Sequence, residues 1–147
     1  MNIWIDGDGC PVVNETIELA LYYGIKVTIV CDYAHVYQNR DAEVILVDTG
    51  RDNVDYALLA RCKAGDVVVT QDYGLAALVL SKQGYAINQY GQEYHEGNIN
   101  ELLTKRAMNQ VQRKHHKYSH IAKRTSGDDQ KFIDGFMKLL DIVLNNN

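Results

Sequence analysis

The chain has 147 residues, 46% of them hydrophobic and 23% charged, with a net charge of −4. A chain this long buries roughly 68–70% of the surface that it exposes when unfolded, so it needs no disulfide or structural metal to fold. No apolar run approaches the ~18–20 residues of a membrane helix, and the first residues, MNIWIDGDG, lack the basic and apolar regions of a signal peptide.

The charge is unevenly spread. Residues 1–100 carry 6 Lys/Arg and 14 Asp/Glu, whereas residues 101–147 carry 9 and 5. Between Lys105 and Arg124 there is no carboxylate, but there are seven Lys/Arg and the three histidines His115, His116 and His120. Such a block suits either phosphate contact or a solvated surface. Cys10, Cys31 and Cys62 are widely spaced without a CxxC pair, which argues against a cysteine zinc site and fits a reducing, cytoplasmic location.

In chain order, Asn2 to Ile5 predicts a short buried strand that ends at Asp6-Gly7-Asp8-Gly9. Pro11 starts a helix to Tyr23, with Val13, Ile17, Ala20 and Leu21 inward and Gly24 as its stop. Lys26–Cys31 and Val44–Val47 are the second and third strands, with residues 32–41 between them as a loop. Asp52–Cys62 is a helix with Val54, Leu58 and Leu59 inward. Asp66–Thr70 is a fourth strand, Tyr73–Lys82 a third helix and Tyr85–Asn88 a fifth strand. Asn98 caps a helix over Ile99 to His116, with Leu102, Leu103 and Ala107 inward. Residues 117–127 form a connector. Asp128–Leu144 is a closing helix with Phe132, Phe136, Leu139, Leu140 and Val143 on one stripe. Strands alternating with helices indicate βαβ units and a mostly parallel sheet of four to five strands.

The aspartates fall where such a sheet binds ligands, at the carboxyl ends of its strands. Asp6 and Asp8 follow the first strand, Asp48 the third and Asp72 the fourth, while Asp52 and Asp55 open the second helix. Carboxylates gathered in one place repel each other, and a hard divalent cation such as Mg²⁺ or Mn²⁺ relieves that repulsion. The plainer reading of each is a turn or cap residue: Asp52 as a helix cap, Asp48 and Asp66 as turn or strand-start residues. Glycines 7 and 9 let the backbone pass close to a ligand. A calcium loop is excluded, because position 17 is Ile17 where a glutamate is required. Cys10 reads as a packing residue. Tyr33, Tyr37, Tyr56, Tyr73, Tyr90 and Tyr94 lie in or beside loops, where some can stack on bases and more are half-buried. Neither a Walker loop nor Gly-x-Gly-x-x-Gly is present, which argues against nucleotide cofactors.

The stretch IWIDGDGCP resembles the opening of the YaiI/YqxD family of small bacterial proteins. So do RDNVDYALLARCKAGDVVVTQDYGLAALVLSK, NQYGQEY, KRTSGDD and QKFIDGFMKLL, so that the likeness covers nearly the whole chain. That family in turn resembles PIN-like domains, which are metal-dependent nucleases. The resemblance implies a three-layer, Rossmann-like α/β fold over residues 1–147, with an α/β core at 1–97 and a helical part at 98–147.

It also implies a site. Asp6 matches the aspartate that closes the first strand. Asp55, with Ala60, matches an acid in D-x-x-x-x-A, and Asp72 matches the acid of Thr70-Gln71-Asp72. The sequence departs from the pattern in one respect: it has no equivalent of the further acid in an earlier helix. Glu15 and Glu18 stand elsewhere, which leaves Asp8 or Asp52 as substitutes. The expected function is phosphodiester hydrolysis on RNA or single-stranded DNA with Mg²⁺ or Mn²⁺. Asp6, Asp55 and Asp72 are the catalytic core and metal ligands, and Asp8 and Asp52 help directly or through bound water. Lys123, Arg124 and Ser126 contact phosphate if the connector folds over the site. Two alternatives stand beside this. One is a non-catalytic PIN-like module that binds nucleic acid or protein. The other is a small-molecule phosphatase with an aspartyl nucleophile.

Overall fold

A computed structural model of the chain describes residues 1–114 and 123–146, with the side chains of residues 106, 107 and 109–114 left aside. Its elements run β1 (Asn2–Asp6), α1 (Val13–Tyr23), β2 (Lys26–Asp32), β3 (Glu43–Val47), α2 (Asn53–Arg61), β4 (Val67–Val69), α3 (Tyr73–Ser81), β5 (Tyr85–Ile87), β6 (Glu93–Tyr94), α4 (Glu96–Lys114) and α5 (Ser126–Asn145). The six strands form one sheet in the order β3-β2-β1-β4-β5-β6. All neighbours are parallel except β5 and β6. The expected four to five strands are therefore six. The sixth is only two residues long, too short to leave a periodic signal, and Glu93 pairs with Ile87 across a turn.

Strand residues alternate between two buried faces. Ile3, Ile5, Val27, Ile29, Val67, Val69 and Ile87 meet Val13, Ile17 and Ala20 of α1 and the Phe132, Phe136, Leu139, Leu140, Val143 stripe of α5. Trp4, Val30, Val68 and Ala86 face the other way, onto Val54 and Leu58 of α2, Leu75 and Val79 of α3, and Ile99 of α4. Helices thus cover both faces of the sheet in three layers. Leu21 was expected inward but is 56% exposed, because it stands one residue past the inward Ala20 on a narrow stripe.

α1 begins two residues later than expected, after a turn at Pro11 and Val12, and Gly24 ends it in a left-handed cap. α4 starts at Glu96, so Asn98 sits in its first turn rather than before it, holding the His95 N–H (2.9 Å) and the Glu93 carbonyl (3.0 Å). α5 starts at Ser126 instead of Asp128. Its start is a capping box: the Thr125 hydroxyl accepts from the Asp128 N–H, and the Asp128 carboxylate accepts from the Thr125 N–H. α5 also docks closely on the turn after β5. A Cβ on Gly135 would strike the Gly91 carbonyl, and one on Gly91 would strike the Lys131 carbonyl.

Asp66 anchors the amino edge of the sheet. Its carboxylate is 5% exposed and accepts from the Asn2 N–H (2.9 Å), the Trp4 indole N–H (3.0 Å) and the Lys63 N–H (2.9 Å). It is a strand-start residue with a structural task, on the edge opposite the other aspartates.

Candidate active site

β1 and β4 lie side by side, but the chain builds the sheet outward from β1 through β2 to β3 and then returns to add β4 and β5 on the other side. The crevice beyond their carboxyl ends is the switch point at which open α/β sheets bind ligands. Asp6 is the last residue of β1 and shares the parity of Trp4, so it faces the layer of α2 and α3. Asp55 lies in the first turn of α2, and Asp72 is the cap of α3. Strand parity and two helix starts therefore gather these three acids in one place, although they are far apart in sequence.

Thr70 joins two of them. Its hydroxyl donates to Asp6 Oδ2 (2.7 Å) and accepts from the Asp72 N–H (3.0 Å). Asp72 Oδ1 accepts from the N–H groups of Gly74 (2.8 Å) and Leu75 (3.2 Å), which fixes the carboxylate on the first turn of α3. Asp6 is 7% exposed, and burial pushes its pKa up to about 6 against the lowering effect of the Thr70 hydroxyl and the Asp8 N–H. Asp55 is pushed up to about 7, first by lost hydration, then by the charges of Asp6 and Asp72, with a hydrogen bond to Asp72 and the charge of Asp52 adding to the rise. Asp6 and Asp55 therefore take up protons well above the ordinary carboxylate range.

Asp8 and Asp52 stand at the rim. The Asp8 side chain is 67% exposed, and its N–H reaches Asp6 Oδ1 at 3.4 Å. Asp52 precedes α2 in a left-handed conformation (φ 64°) and its side chain caps nothing, so the capping role considered for it is not the one it has. Such a backbone is unusual for a non-glycine residue. Asp48 is exposed, and its carbonyl takes the Asn53 side-chain amide (2.9 Å). Gly7 is close not to open space but to β2: its N–H bonds the Val30 carbonyl (2.9 Å), and a Cβ there would meet Val30 and Cys31. The glycine serves the passage of β1 past β2.

Among the described residues, no group of three or more His, Cys, Asp or Glu side chains is arranged to hold a metal ion. The hydrogen bonds supply a reason: Asp72 Oδ1 is turned onto the amide groups of α3 and Asp6 Oδ2 onto Thr70. Asp6, Asp55 and Asp72 act on one another through charge, and Asp55 through a hydrogen bond to Asp72.

The three proposed phosphate contacts differ. Lys123 and Ser126 are exposed. Arg124 is tied down: Nε meets Asp129 Oδ1 (2.8 Å), Nη2 donates to the Gln89 carbonyl (2.8 Å) and the guanidinium lies 5.5 Å from the centre of the Tyr90 ring. Its Nη1 is buried without a partner among the described residues. It acts on Cys10, whose thiol burial pushes up to about 11, the value of a packing cysteine rather than a nucleophile. None of the three cysteines is paired. Tyr33, Tyr56 and Tyr90 are exposed, whereas Tyr94 is buried and donates to the Thr70 carbonyl at 3.2 Å. Residues 115–122 lie outside the described residues, and with them His115, His116, His120 and much of the basic segment and connector.

One pair at this edge went unread in the sequence. Asp32 closes β2, and its Oδ1 stands 2.9 Å from His35 Nδ1. The only sequence signal is an aspartate at a strand end with a histidine three residues on, inside a stretch taken for plain loop.

The family model described as "Uncharacterized BCR, YaiI/YqxD family" matches residues 4–142. The chain belongs to the YaiI/YqxD family. Among its relatives, a UPF0178 protein of Alkaliphilus oremlandii is 46% identical over 96% of this chain and 92% of its own length. One of Exiguobacterium sibiricum is 45% identical over 95% and 96%. One of Staphylococcus epidermidis is 39% identical over 97% and 98%. No solved structure gives a significant match. The span matched by the YaiI/YqxD model includes Asp6, Asp32, His35, Asp55, Asp72 and Arg124. Among the described residues of this YaiI/YqxD chain, no helix is long and apolar enough to cross a membrane.

Proposed function

We propose that the chain is a PIN-like phosphodiesterase that hydrolyses RNA or single-stranded DNA with Mg²⁺ or Mn²⁺. The observation that carries this reading is the meeting of Asp6, Asp55 and Asp72 at the switch point of the sheet, where burial first and then the charges of Asp6 and Asp72 push Asp55 up to about 7. Asp6 and Asp55 hold protons above the ordinary carboxylate range, and a cation that displaces those protons gains the negative charge they leave behind. The donors are hard carboxylate oxygens, which fits both ions. Asp6, Asp55 and Asp72 would hold the cation, with Asp8 and Asp52 adding charge through bound water.

When bound, the ion supplies charge neutralisation at phosphorus and an activated water. The chain's own residues set the stage. Thr70 holds Asp6 in place, and the amides of α3 hold Asp72. Asp55 gives up its proton on loading. Lys123, Ser126 and the basic segment would hold the substrate backbone, with Arg124 fixing the start of α5 beside them.

The test is cleavage of an end-labelled single-stranded RNA with Mg²⁺, Mn²⁺ or EDTA. Asp72→Asn is the informative variant, because asparagine keeps a cap for α3, whereas alanine removes it at a cost of about 1 kcal/mol. A loss of about 100-fold or more is expected from Asp72→Asn. An Asp72→Asn protein that cleaves at the wild-type rate sinks the assignment.

The second reading is a non-catalytic binding module. The observation that favours it is the lack, among the described residues, of a ready metal-holding group. It predicts oligonucleotide binding that EDTA does not alter, without cleavage.

A further inference from the structure

The carboxyl edge carries a His–Asp pair that the three acids do not use. In the register of β1 and β2, Asp6 stands opposite Val30. Asp32 is two residues further along β2 with the same parity, so it faces the same layer as Asp6, about 7 Å farther out. Its Oδ1 accepts from the N–H groups of Ala34 (2.9 Å) and His35 (3.0 Å) as well as from the His35 ring. These bonds fix both the carboxylate and the ring, and the His35 hydrogen bond holds Asp32 below the usual carboxylate range. His35 Nδ1 is also 3.8 Å from Asp8 Oδ1, while the Asp8 N–H reaches Asp6. The ring therefore stands one residue away from the acid site. With Nδ1 directed at a carboxylate, Nε2 is the nitrogen left for a ligand. It makes no hydrogen bond among the described residues, and the side chain is 48% exposed.

We propose that His35, its ring oriented by Asp32, donates the proton that the leaving oxygen requires when a phosphodiester is hydrolysed at Asp6, Asp55 and Asp72. This rests on the reading above. A water oxygen forms a bond to phosphorus while the bond from phosphorus to the ester oxygen breaks. The electron pair of that bond stays on the ester oxygen, which takes the Nε2 proton of the imidazolium and leaves as an alcohol. The attacking water loses its proton to solvent, and a solvent proton restores the ring. In an in-line displacement the attacking and leaving oxygens lie on opposite sides of phosphorus, so a proton donor for the leaving oxygen stands apart from the attacking water.

The test compares two oligonucleotides with the full-length protein and Mg²⁺ or Mn²⁺. One has an ordinary phosphodiester at the cleaved bond. The other has sulfur in place of the bridging leaving oxygen, and a thiolate leaves without a proton. His35→Ala is expected to slow the oxygen ester about 100-fold and the sulfur ester by less than ~3-fold, since a general acid is worth 10²–10⁴. Asp32→Asn should show the same preference more weakly. Equal slowing of both esters, or of neither, overturns the proposal. If the wild type cleaves, Asp72→Asn does not and His35→Ala behaves as wild type, this proposal alone falls. If the wild type cleaves neither substrate, the phosphodiesterase reading falls and takes this one with it.

Discussion

Asp6 shows how a site can work against the fold that carries it. Its pKa is about 6 in the folded chain against 3.8 as the ordinary value. The folded state therefore binds the extra proton between those two pH values, and the stability tied to this group is full below about pH 4 and lost as pH rises through 6. A shift of that size corresponds to about 3 kcal/mol at most. Asp6→Asn cannot lose a proton and should be insensitive over this range. Urea unfolding of the metal-free protein should show the variant gaining on the wild type from pH 4 to 7, then holding a constant lead of about 2 kcal/mol. A lead that shrinks with rising pH would mean that the carboxylate is stabilised where it stands. Proximity of this kind is only partly legible in a sequence. Asp6, Asp55 and Asp72 could be named because each follows a strand or opens a helix. The Thr70 bridge could not, since it depends on the neighbouring strand, and the left-handed turn at Asp52 is one that a non-glycine residue rarely makes.

At the scale of elements, periodicity carried most of the fold. The five inward residues of α5 and the apolar residues of β1, β2 and β4 are buried as their spacing indicates, because the α5 stripe lies on one face of the sheet and helices cover its central strands on both. The reading was weakest where a short contact replaces a long pattern. β6 has two residues, and the start of α5 lies in Thr125-Ser126-Gly127-Asp128, a capping box hidden inside an apparent connector. The Gly91–Gly135 approach left no periodic trace either, yet it decides where α5 sits. Gly135→Ala should cost about 3 kcal/mol by forcing a methyl group onto the Gly91 carbonyl. Gly127→Ala, in the first turn of the same helix, meets only the Thr125 hydroxyl oxygen at 3.5 Å and should be neutral. Thermal melts of the pair check this. Equal melting temperatures would mean that α5 can shift without loss.

Across the whole molecule, charge is divided. Residues 1–100 have a net charge of −8 and residues 101–147 of +4. A chain with a pI near 5.7 is a poor general binder of nucleic acid, so any grip on a polyanion has to be local. Under the proposed function, the acidic part repels the substrate until a cation neutralises it, and the basic part supplies the attraction. These two contributions respond differently to salt. Phosphate contacts release counterions from a single strand with a slope of about −0.7 per contact in log K against log salt, whereas a buried carboxylate site is screened far less. Replacing Lys114, Lys117 and Lys123 together by glutamine should therefore flatten the slope for a single-stranded oligonucleotide by about 2. It should leave hydrolysis of a dinucleotide, which offers too few phosphates for such contacts to matter, close to the wild-type rate. Fluorescence anisotropy between 50 and 300 mM KCl gives the slope. An unchanged slope would place the grip elsewhere, with the exposed Tyr33, Tyr56 and Tyr90 as the stacking surfaces to replace next.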